Sequence, residues 1–221
     1  MTKEEFARQY RDAMGWQARV VHDDELPIEY PVCRYAFSDG TAVTAVCPDI
    51  PIDAVPQGAS LSDALDALFD MEQITAQPER VLGFCAPDAI LGEDLPDIRD
   101  EAALHELLDA LSDRDRAMGE VTAADDFTAC VMRDGRMLAA AGAVHSEGGL
   151  ADISLCVHPQ VRGQGLGRRV LCALIRKIRD AGCVPLYRAE ERNVPSVRLA
   201  RRAGLQQAFT MEGALLVFPE D

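Results

Sequence analysis

The feature that most constrains this chain is a glycine-rich segment, Val157 to Arg169, that lies between two regular patterns. Residues 150–157 alternate between apolar and polar, as in a β-strand, and residues 170–178 are apolar at helical spacing. Glycines let the backbone of a turn approach an anion, and the start of a helix offers N–H groups without acceptors. The segment therefore predicts a strand, a phosphate-binding turn and a helix.

The spacing of the glycines excludes two common kinds of phosphate-binding loop. A dinucleotide fingerprint needs glycine where Arg168 stands, and a P-loop needs a Gly-Lys-Ser or Gly-Lys-Thr run that the chain lacks. What remains is Arg162, two residues, Gly165, one residue and Gly167. This pattern resembles the acetyl-CoA pyrophosphate loop of the GNAT-type N-acetyltransferases. The alternative is a purely structural strand-to-helix turn with an exposed arginine.

A second segment strengthens the resemblance. Residues 185–189 are predicted to form a strand, and they are followed by Asn193-Val194-Pro195-Ser196, a short helix over 197–203 and Gly204-Leu205. This order is similar to the second signature of the same family, with Leu205 in place of an aromatic residue. The resemblance covers about residues 80–221 and does not extend to the first eighty.

The resemblance implies an acetyl-CoA-dependent N-acyltransferase with an α/β fold, built from a mixed, mostly antiparallel sheet flanked by helices. It implies a small-molecule or peptide amine as acceptor and direct transfer in a ternary complex. A non-catalytic acyl-CoA-binding regulatory module stays open as the alternative. By resemblance, the donor contacts are main-chain atoms of the last strand residues, the loop, and two residues of the second signature: Leu155, Cys156, Val157, Arg162, Gly163, Gln164, Gly165, Leu166, Gly167, Arg168, Asn193 and Ser196.

Asp152 is the candidate general base, because it lies where related histone acetyltransferases carry a glutamate. Strand alternation places Asp152, Ser154 and Cys156 on one face, opposite the apolar residues. Aspartate is one methylene shorter than glutamate, so it would act through a water. The alternative is a carboxylate that binds neighbouring backbone after the Gly-Gly turn. Three weaker candidates remain: His145, His158 and Glu190.

The candidate general acid is less clear, because this sequence departs from the family pattern. Ala200 stands where the family usually has a tyrosine, counted from Asn193. Either Tyr187 or a water protonates the leaving thiolate, or no dedicated acid exists. A CoA thiol is a good leaving group, so the third arrangement is chemically sound.

Composition excludes several other classes. The net charge of −15 disfavours nucleic acid as a partner, yet residues 162–202 hold eleven Lys and Arg against three acidic residues. That basic segment suits a polyanionic donor such as acetyl-CoA.

The seven cysteines form no C-x-x-C pair, which indicates neither a metal site nor a disulfide framework. The N-terminus lacks a signal-peptide pattern and no apolar run suits a membrane helix, so we expect a cytoplasmic protein.

The first part of the chain carries no catalytic pattern. We predict a helix over 4–14, a hairpin of 33–37 with 41–47, and a helix over 61–74 capped by Ser60. Residues 1–78 would form a small α+β extension, and residues 79–221 the transferase domain. Two roles stay open for the extension, namely shaping the substrate cleft or forming a contact with a partner or in a homodimer.

The predicted order after residue 80 is the order of the GNAT fold. It runs strand, helix, short helix, three strands, helix, strand, helix and two final strands. The strongest turn signal is Asp134-Gly135, which predicts a hairpin between strands at 127–132 and 136–144.

Overall fold

The structure, a computed structural model, describes residues 1–87 and 91–218. The chain forms two compact units. The first comprises Met1–Gly83, Ala189–Val194 and Gln207–Asp221, and the second comprises Phe84–Arg188 and Pro195–Gln206. The proposed domain boundary after residue 78 stays a prediction, because compactness does not test whether either part folds alone.

The first unit has a small sheet and two helices. Its elements are α1 (Lys3–Ala13), β1 (Val20–His22), β2 (Val32–Phe37), β3 (Ala42–Val46), α2 (Leu61–Leu68), most of β4 (Thr75–Cys85) and most of β9 (Gln206–Val217). The strands lie in the order β1-β3-β2-β9-β4. Strand β2 pairs antiparallel with β3 and with β9, which confirms the predicted hairpin, and β1 pairs parallel with β3.

Aromatic packing holds α1 on this sheet. Thr2 and Glu5 form a capping box that fixes the start of the helix, and Phe6 and Tyr10 are buried on its inner face. The ring of Tyr10 lies 4.9 Å from the ring of Phe209 on β9. Because these aromatic side chains bury large areas, they account for the docking of an otherwise short helix.

Helix α2 is shorter than predicted. Ser60 caps it as expected, by accepting from the Asp63 backbone N–H, but the helix ends at Leu68 and not at residue 74. Phe69 is extended, and its ring lies 6.4 Å from that of Phe218. The apolar spacing of 61–74 predicted one helix, whereas the structure ends it six residues early, and the partly buried Phe69 packs from an extended backbone against the cluster that contains Leu65.

The second unit contains the predicted turn and its flanking elements. These are α3 (Glu101–Asp109), α4 (Asp113–Met118), β5 (Phe127–Arg133), β6 (Arg136–His145), β7 (Leu150–Val157), α5 (Leu166–Asp180), and most of β8 (Val184–Glu190) and α6 (Val194–Arg202). The strands lie in the order β8-β7-β6-β5. Strands β5, β6 and β7 are antiparallel, and β7 is parallel to β8. Asp134 (φ 51) and Gly135 (φ 76) form the predicted β5–β6 turn.

Strand β6 explains how helices pack on both faces of this sheet. Four of its residues are fully buried alanines (Ala139, Ala140, Ala141, Ala143). Helices α3 and α5 both contact the strand. Ala140 packs in the cluster formed by α3, and alternation turns its neighbours towards the other face. Small side chains let both helices approach the sheet closely.

The predicted fold class is confirmed: the sheets are mixed, mostly antiparallel and flanked by helices. Besides the length of α2, two details were wrong. The chain ends in one long strand, β9, where two strands were predicted, and the three-residue β1 was not predicted. Within the described residues no helix has both the length and the apolar character needed to cross a membrane.

Candidate functional site

The glycine-rich turn has the geometry of an anion-binding helix start. Gly163 (φ 78) and Gly165 (φ 83) both adopt the left-handed region, and Gly165 is the N-cap residue of α5. A Cβ placed on either glycine would meet no atom within 4 Å. No side chain caps this helix start, so its first N–H groups can receive an external acceptor. Phosphate binding at this turn stays a prediction, and the cradle fits it.

Gly167 has a different role from the other two glycines. A Cβ on it would lie 3.3 Å from Cγ2 of Val157 and 3.5 Å from Cδ2 of Leu199. Its missing side chain therefore lets the first turn of α5 pack closely against β7 and α6. The next residue back, Leu166, is buried and anchors the helix start in the core. These contacts fix the direction in which the turn presents its backbone.

Arg162 is bound at both ends of its guanidinium group. Its Nε donates to the backbone oxygen of Val157 at 3.3 Å, and its Nη2 donates to Oδ2 of Asp115 at 3.1 Å. Hydrogen bonds from Ser112 and from Arg162 hold the pKa of Asp115 below its usual value. Asp115 is on α4, so this ion pair connects the turn to that helix. Sequence analysis missed Asp115, because nothing local connects residues 47 positions apart.

The remaining turn residues are exposed. Gln164 and Arg168 both point to solvent at the start of α5. Burial raises the pKa of the Cys172 thiol, and a hydrogen bond with Arg168, one helical turn earlier, offsets part of that effect. Neither placement conflicts with the predicted donor contacts of Gln164 and Arg168, and neither tests them.

Strands β7 and β8 part next to the turn. Their parallel pairing covers only Leu150 to Ile153, and its last pair is Ile153 with Tyr187. Leu155, Cys156 and Val157 continue to pair with β6 on their other side. Beyond Ile153, among the described residues, the β8-facing edge of β7 has no strand partner. An extended ligand can therefore pair with main-chain groups there.

The C-terminal end of helix α4 approaches this edge of β7 closely at Gly119. A Cβ on Gly119, the residue that ends α4, would lie 2.8 Å from the backbone oxygen of Leu155. Only glycine permits this approach. The end of α4 therefore lies against the part of β7 that was predicted to contact the donor.

Asp152 is ion-paired with a residue that the sequence did not reveal. Arg188 on β8 donates from Nη2 to Oδ2 of Asp152. The predicted alternative, a carboxylate bound by nearby backbone, is not among the contacts of Asp152 in the described residues. Asp152 lies opposite Leu186 in the register, so Arg188, two residues on, shares its face. Sequence patterns do not fix the register of parallel strands, which is why Arg188 was missed.

Tyr187 points to the opposite face of the sheet from Asp152. It pairs with Ile153 in the register, is 4% exposed and is hydrogen-bonded to Ser196 on α6. Burial raises the pKa of Tyr187, and the bond with Ser196 offsets part of that rise. The two catalytic candidates therefore lie on different faces of adjacent strands. Asn193, which belongs to the first unit, donates its N–H to the backbone oxygen of Glu190 at 2.9 Å.

Much of the basic segment is ion-paired. Within the described residues, six of its eleven cations have acidic partners: Arg162–Asp115, Arg169–Glu93, Arg176–Asp180, Lys177–Asp97, Arg188–Asp152 and Arg192–Glu190. The segment is therefore not a uniformly positive surface. In the part of the chain that the structure describes, no group of three or more His, Cys, Asp or Glu residues is arranged to hold a metal ion.

Comparison with known proteins finds a matching family and similar folds. Residues 90–205 match the Acetyltransferase (GNAT) family, which is more than half of the chain. The fold is similar to a GNAT-family protein from Novosphingobium aromaticivorans DSM 12444, with a TM-score of 0.53 and 22% identity, over 67% of this chain and 69% of that chain.

A second similar structure is an acetyltransferase from the GNAT family of Colwellia psychrerythraea. The TM-score is 0.51 and the identity is 15%, over 63% of this chain and 56% of that chain. At these identities the two structures establish the fold alone. No curated protein matches the chain.

Proposed function

Because this chain belongs to the Acetyltransferase (GNAT) family and is therefore an acyltransferase, we propose that it moves the acetyl group of acetyl-CoA to an amine by direct transfer in a ternary complex. The observation that carries the proposal is the parting of β7 and β8 after Ile153, in the last part of the strand that leads to the glycine turn. One strand thus offers an open edge for the pantetheine arm and leads into a cradle for the pyrophosphate. Those are the two parts of CoA that a transferase must hold.

The donor would be held mainly by backbone groups. The turn N–H groups, with Gly163 and Gly165 leaving the approach open, would bind the pyrophosphate oxygens. Main-chain atoms of Leu155, Cys156 and Val157 would bind the pantetheine arm. Arg162, Gln164 and Arg168 supply side chains around the turn, and Asn193 and Ser196 are proposed contacts at α6.

The division of candidates between two faces of the sheet supports direct transfer. Asp152 lies on the α3 and α4 face, and Tyr187 lies on the face that carries α6. A thioester that lies in the gap between β7 and β8 is open to both faces. The amine can therefore approach from the side of Asp152 while the leaving sulfur lies towards Tyr187.

The proposed reaction removes two protons from the acceptor nitrogen, gives one proton to the leaving sulfur and releases the other to solvent. Asp152, through a water, takes a proton from the ammonium group of the acceptor. The free amine attacks the thioester carbon and the N–C bond forms. The attacking nitrogen then loses its second proton to water, and collapse of the tetrahedral intermediate breaks the C–S bond. Tyr187 or a water protonates the leaving thiolate. The products are the acetylated amine and CoA.

The state of Cys156 argues against an acyl-enzyme intermediate. It is the only cysteine on β7, and burial raises the pKa of its thiol to about 12. A thiol with that pKa is protonated near neutral pH and is a poor nucleophile.

All seven cysteines are free thiols, as expected in a reducing compartment, which supports a cytoplasmic location.

The role of Tyr187 can be tested by removing its hydroxyl. We expect Tyr187→Phe to lower kcat about tenfold at saturating acetyl-CoA, less than a general acid usually contributes, because a thiolate leaves readily. Steady-state kinetics with thiol detection measures this. Ser196→Ala breaks the same hydrogen bond but keeps the phenol, so it should retain more turnover. Equal losses in both variants would assign the effect to packing and leave water as the proton donor.

One observation favours the alternative of a non-catalytic acyl-CoA-binding regulatory module. Position 200, where the family usually has its acid, holds a fully buried alanine, whose side chain has no proton to donate. The two functions differ in the fate of the thioester. A regulatory module binds acetyl-CoA and releases no CoA thiol with any amine.

Calorimetric titration with acetyl-CoA is the direct test of the donor site. We expect micromolar binding that weakens with desulfo-CoA and is absent with ATP, because the proposed site holds both the pantetheine arm and the pyrophosphate. A panel of small amines and peptides with free amino termini, followed by thiol release, then tests transfer. No binding would contradict both functions, and binding without release over the panel would favour the regulatory module.

A further inference from the structure

Asp115 and Arg162 link the glycine-rich turn, where the donor is proposed to bind, to helix α4. Their side chains are joined at 3.1 Å and are 43% and 47% exposed. The same guanidinium also reaches the end of β7 through Val157. Arg162 therefore lies between β7, the turn and α4, at the point where a pyrophosphate would arrive. This inference rests on the proposed function, because it needs the pyrophosphate to bind at the turn.

Helix α4 has two different faces. Asp113, Arg116 and Ala117 are three and four residues apart and line a cavity of about 460 Å³. Asp115 does not line that cavity, and binds Arg162. At its end, Gly119 lies against the backbone oxygen of Leu155. One short helix thus contacts the glycine-rich turn and the open edge of β7, and it also lines a separate cavity.

We propose that Asp115 competes with the pyrophosphate of acetyl-CoA for Arg162, and that donor binding releases α4 from the turn. Before the donor binds, the ion pair neutralises Arg162 and places a carboxylate beside the phosphate cradle. An arriving pyrophosphate carries more negative charge than one carboxylate and takes over the guanidinium. Release of α4 then changes the cavity on its other face only after the donor is bound.

The competition is measurable as a gain in affinity. Asp115→Asn should tighten acetyl-CoA binding about threefold in calorimetry at low ionic strength, the scale expected for an exposed ion pair. The gain should shrink at high salt, because exposed charges are screened. Asp113→Asn removes the same charge from the same helix but does not contact Arg162, so it should change the affinity much less. Circular dichroism of both variants checks that they are folded.

A double-mutant cycle separates the ion pair from the general field of the protein. In an Arg162→Gln background, Asp115→Asn should give almost no further gain, because the competed group is gone. Asp115→Glu keeps the charge and should bind acetyl-CoA as the unmodified protein does. In the unmodified protein, acetyl-CoA should also increase hydrogen exchange of the backbone amides at 113–119.

The outcomes are distinct. An equal gain in both backgrounds, or an equal gain from Asp113→Asn, would overturn the competition and assign the effect to overall charge. Weaker binding in Asp115→Asn would overturn it and make Asp115 a brace that orients Arg162. Absence of acetyl-CoA binding in the unmodified protein would overturn the inference together with the proposed function. Binding that is unchanged by Asp115→Asn would overturn the inference alone.

Discussion

Replacing Gly165 with glutamate is expected to abolish acetyl-CoA binding, with at least about a hundredfold loss of affinity, while the chain stays folded. The substitution places a carboxylate on the N-cap residue of α5, where the turn would hold the pyrophosphate. Like charges within a few ångströms repel strongly when water is displaced from between them. The carboxylate would also lie beside the N–H groups proposed for phosphate, where the helix dipole attracts negative charge.

The fold should survive because the site is open. A Cβ at Gly165 meets no atom within 4 Å, so the cost is the left-handed backbone alone, about 1 kcal/mol. Calorimetry with acetyl-CoA and thermal unfolding measure the two effects separately. Gly165→Ala carries the same backbone strain without the charge and should lose only a few-fold. Gly182→Glu is a second control. Gly182 lies just beyond the C-terminal end of α5 with φ 80, so this variant adds the same backbone strain and the same charge at a site far from the turn. Retained affinity in Gly165→Glu would remove the turn as the phosphate site.

The second large effect is expected near the start of β7, the strand that leads into the glycine-rich turn. Asp152→Asn should lower kcat by at least about a hundredfold and leave acetyl-CoA affinity nearly unchanged, because a general base contributes that much to proton removal. The change preserves shape, and Arg188, the ion-pair partner, is about half exposed and can be solvated. The loss should therefore appear in turnover and not in donor binding.

A charge-matched control keeps this test specific. Asp134→Asn removes one carboxylate from the β5–β6 turn, and asparagine tolerates the left-handed backbone found there (φ 51). Its kcat should match that of the unmodified protein. If Asp152→Asn also keeps full turnover, the carboxylate only pairs with Arg188, and the base must be sought among His145, His158 and Glu190.

The parts that the sequence predicted well are those fixed by local chemistry. Glycines at 163 and 165 permit the left-handed turn that the structure contains, and Asp134-Gly135 favours the hairpin turn found there. The parts that it missed depend on distant pairing. Arg188 reaches Asp152 through the register of two parallel strands, and Asp115 reaches Arg162 across 47 residues. Helix α2 ends at Leu68, and the next residue, Phe69, lies near Phe218 far along the chain, a contact that periodicity does not contain.

The alternation of β7 has a consequence for how such an enzyme changes over time. Its even-numbered residues, Asp152 and Ser154 among them, lie on the face of the proposed acceptor, and its odd-numbered residues face α5. In the proposed complex, backbone N–H and C=O groups hold most of the donor, and side-chain substitutions leave those groups in place. Selection can therefore exchange side chains on one face and acquire a new acceptor, while the helix packing on the other face and the hold on the donor are inherited unchanged.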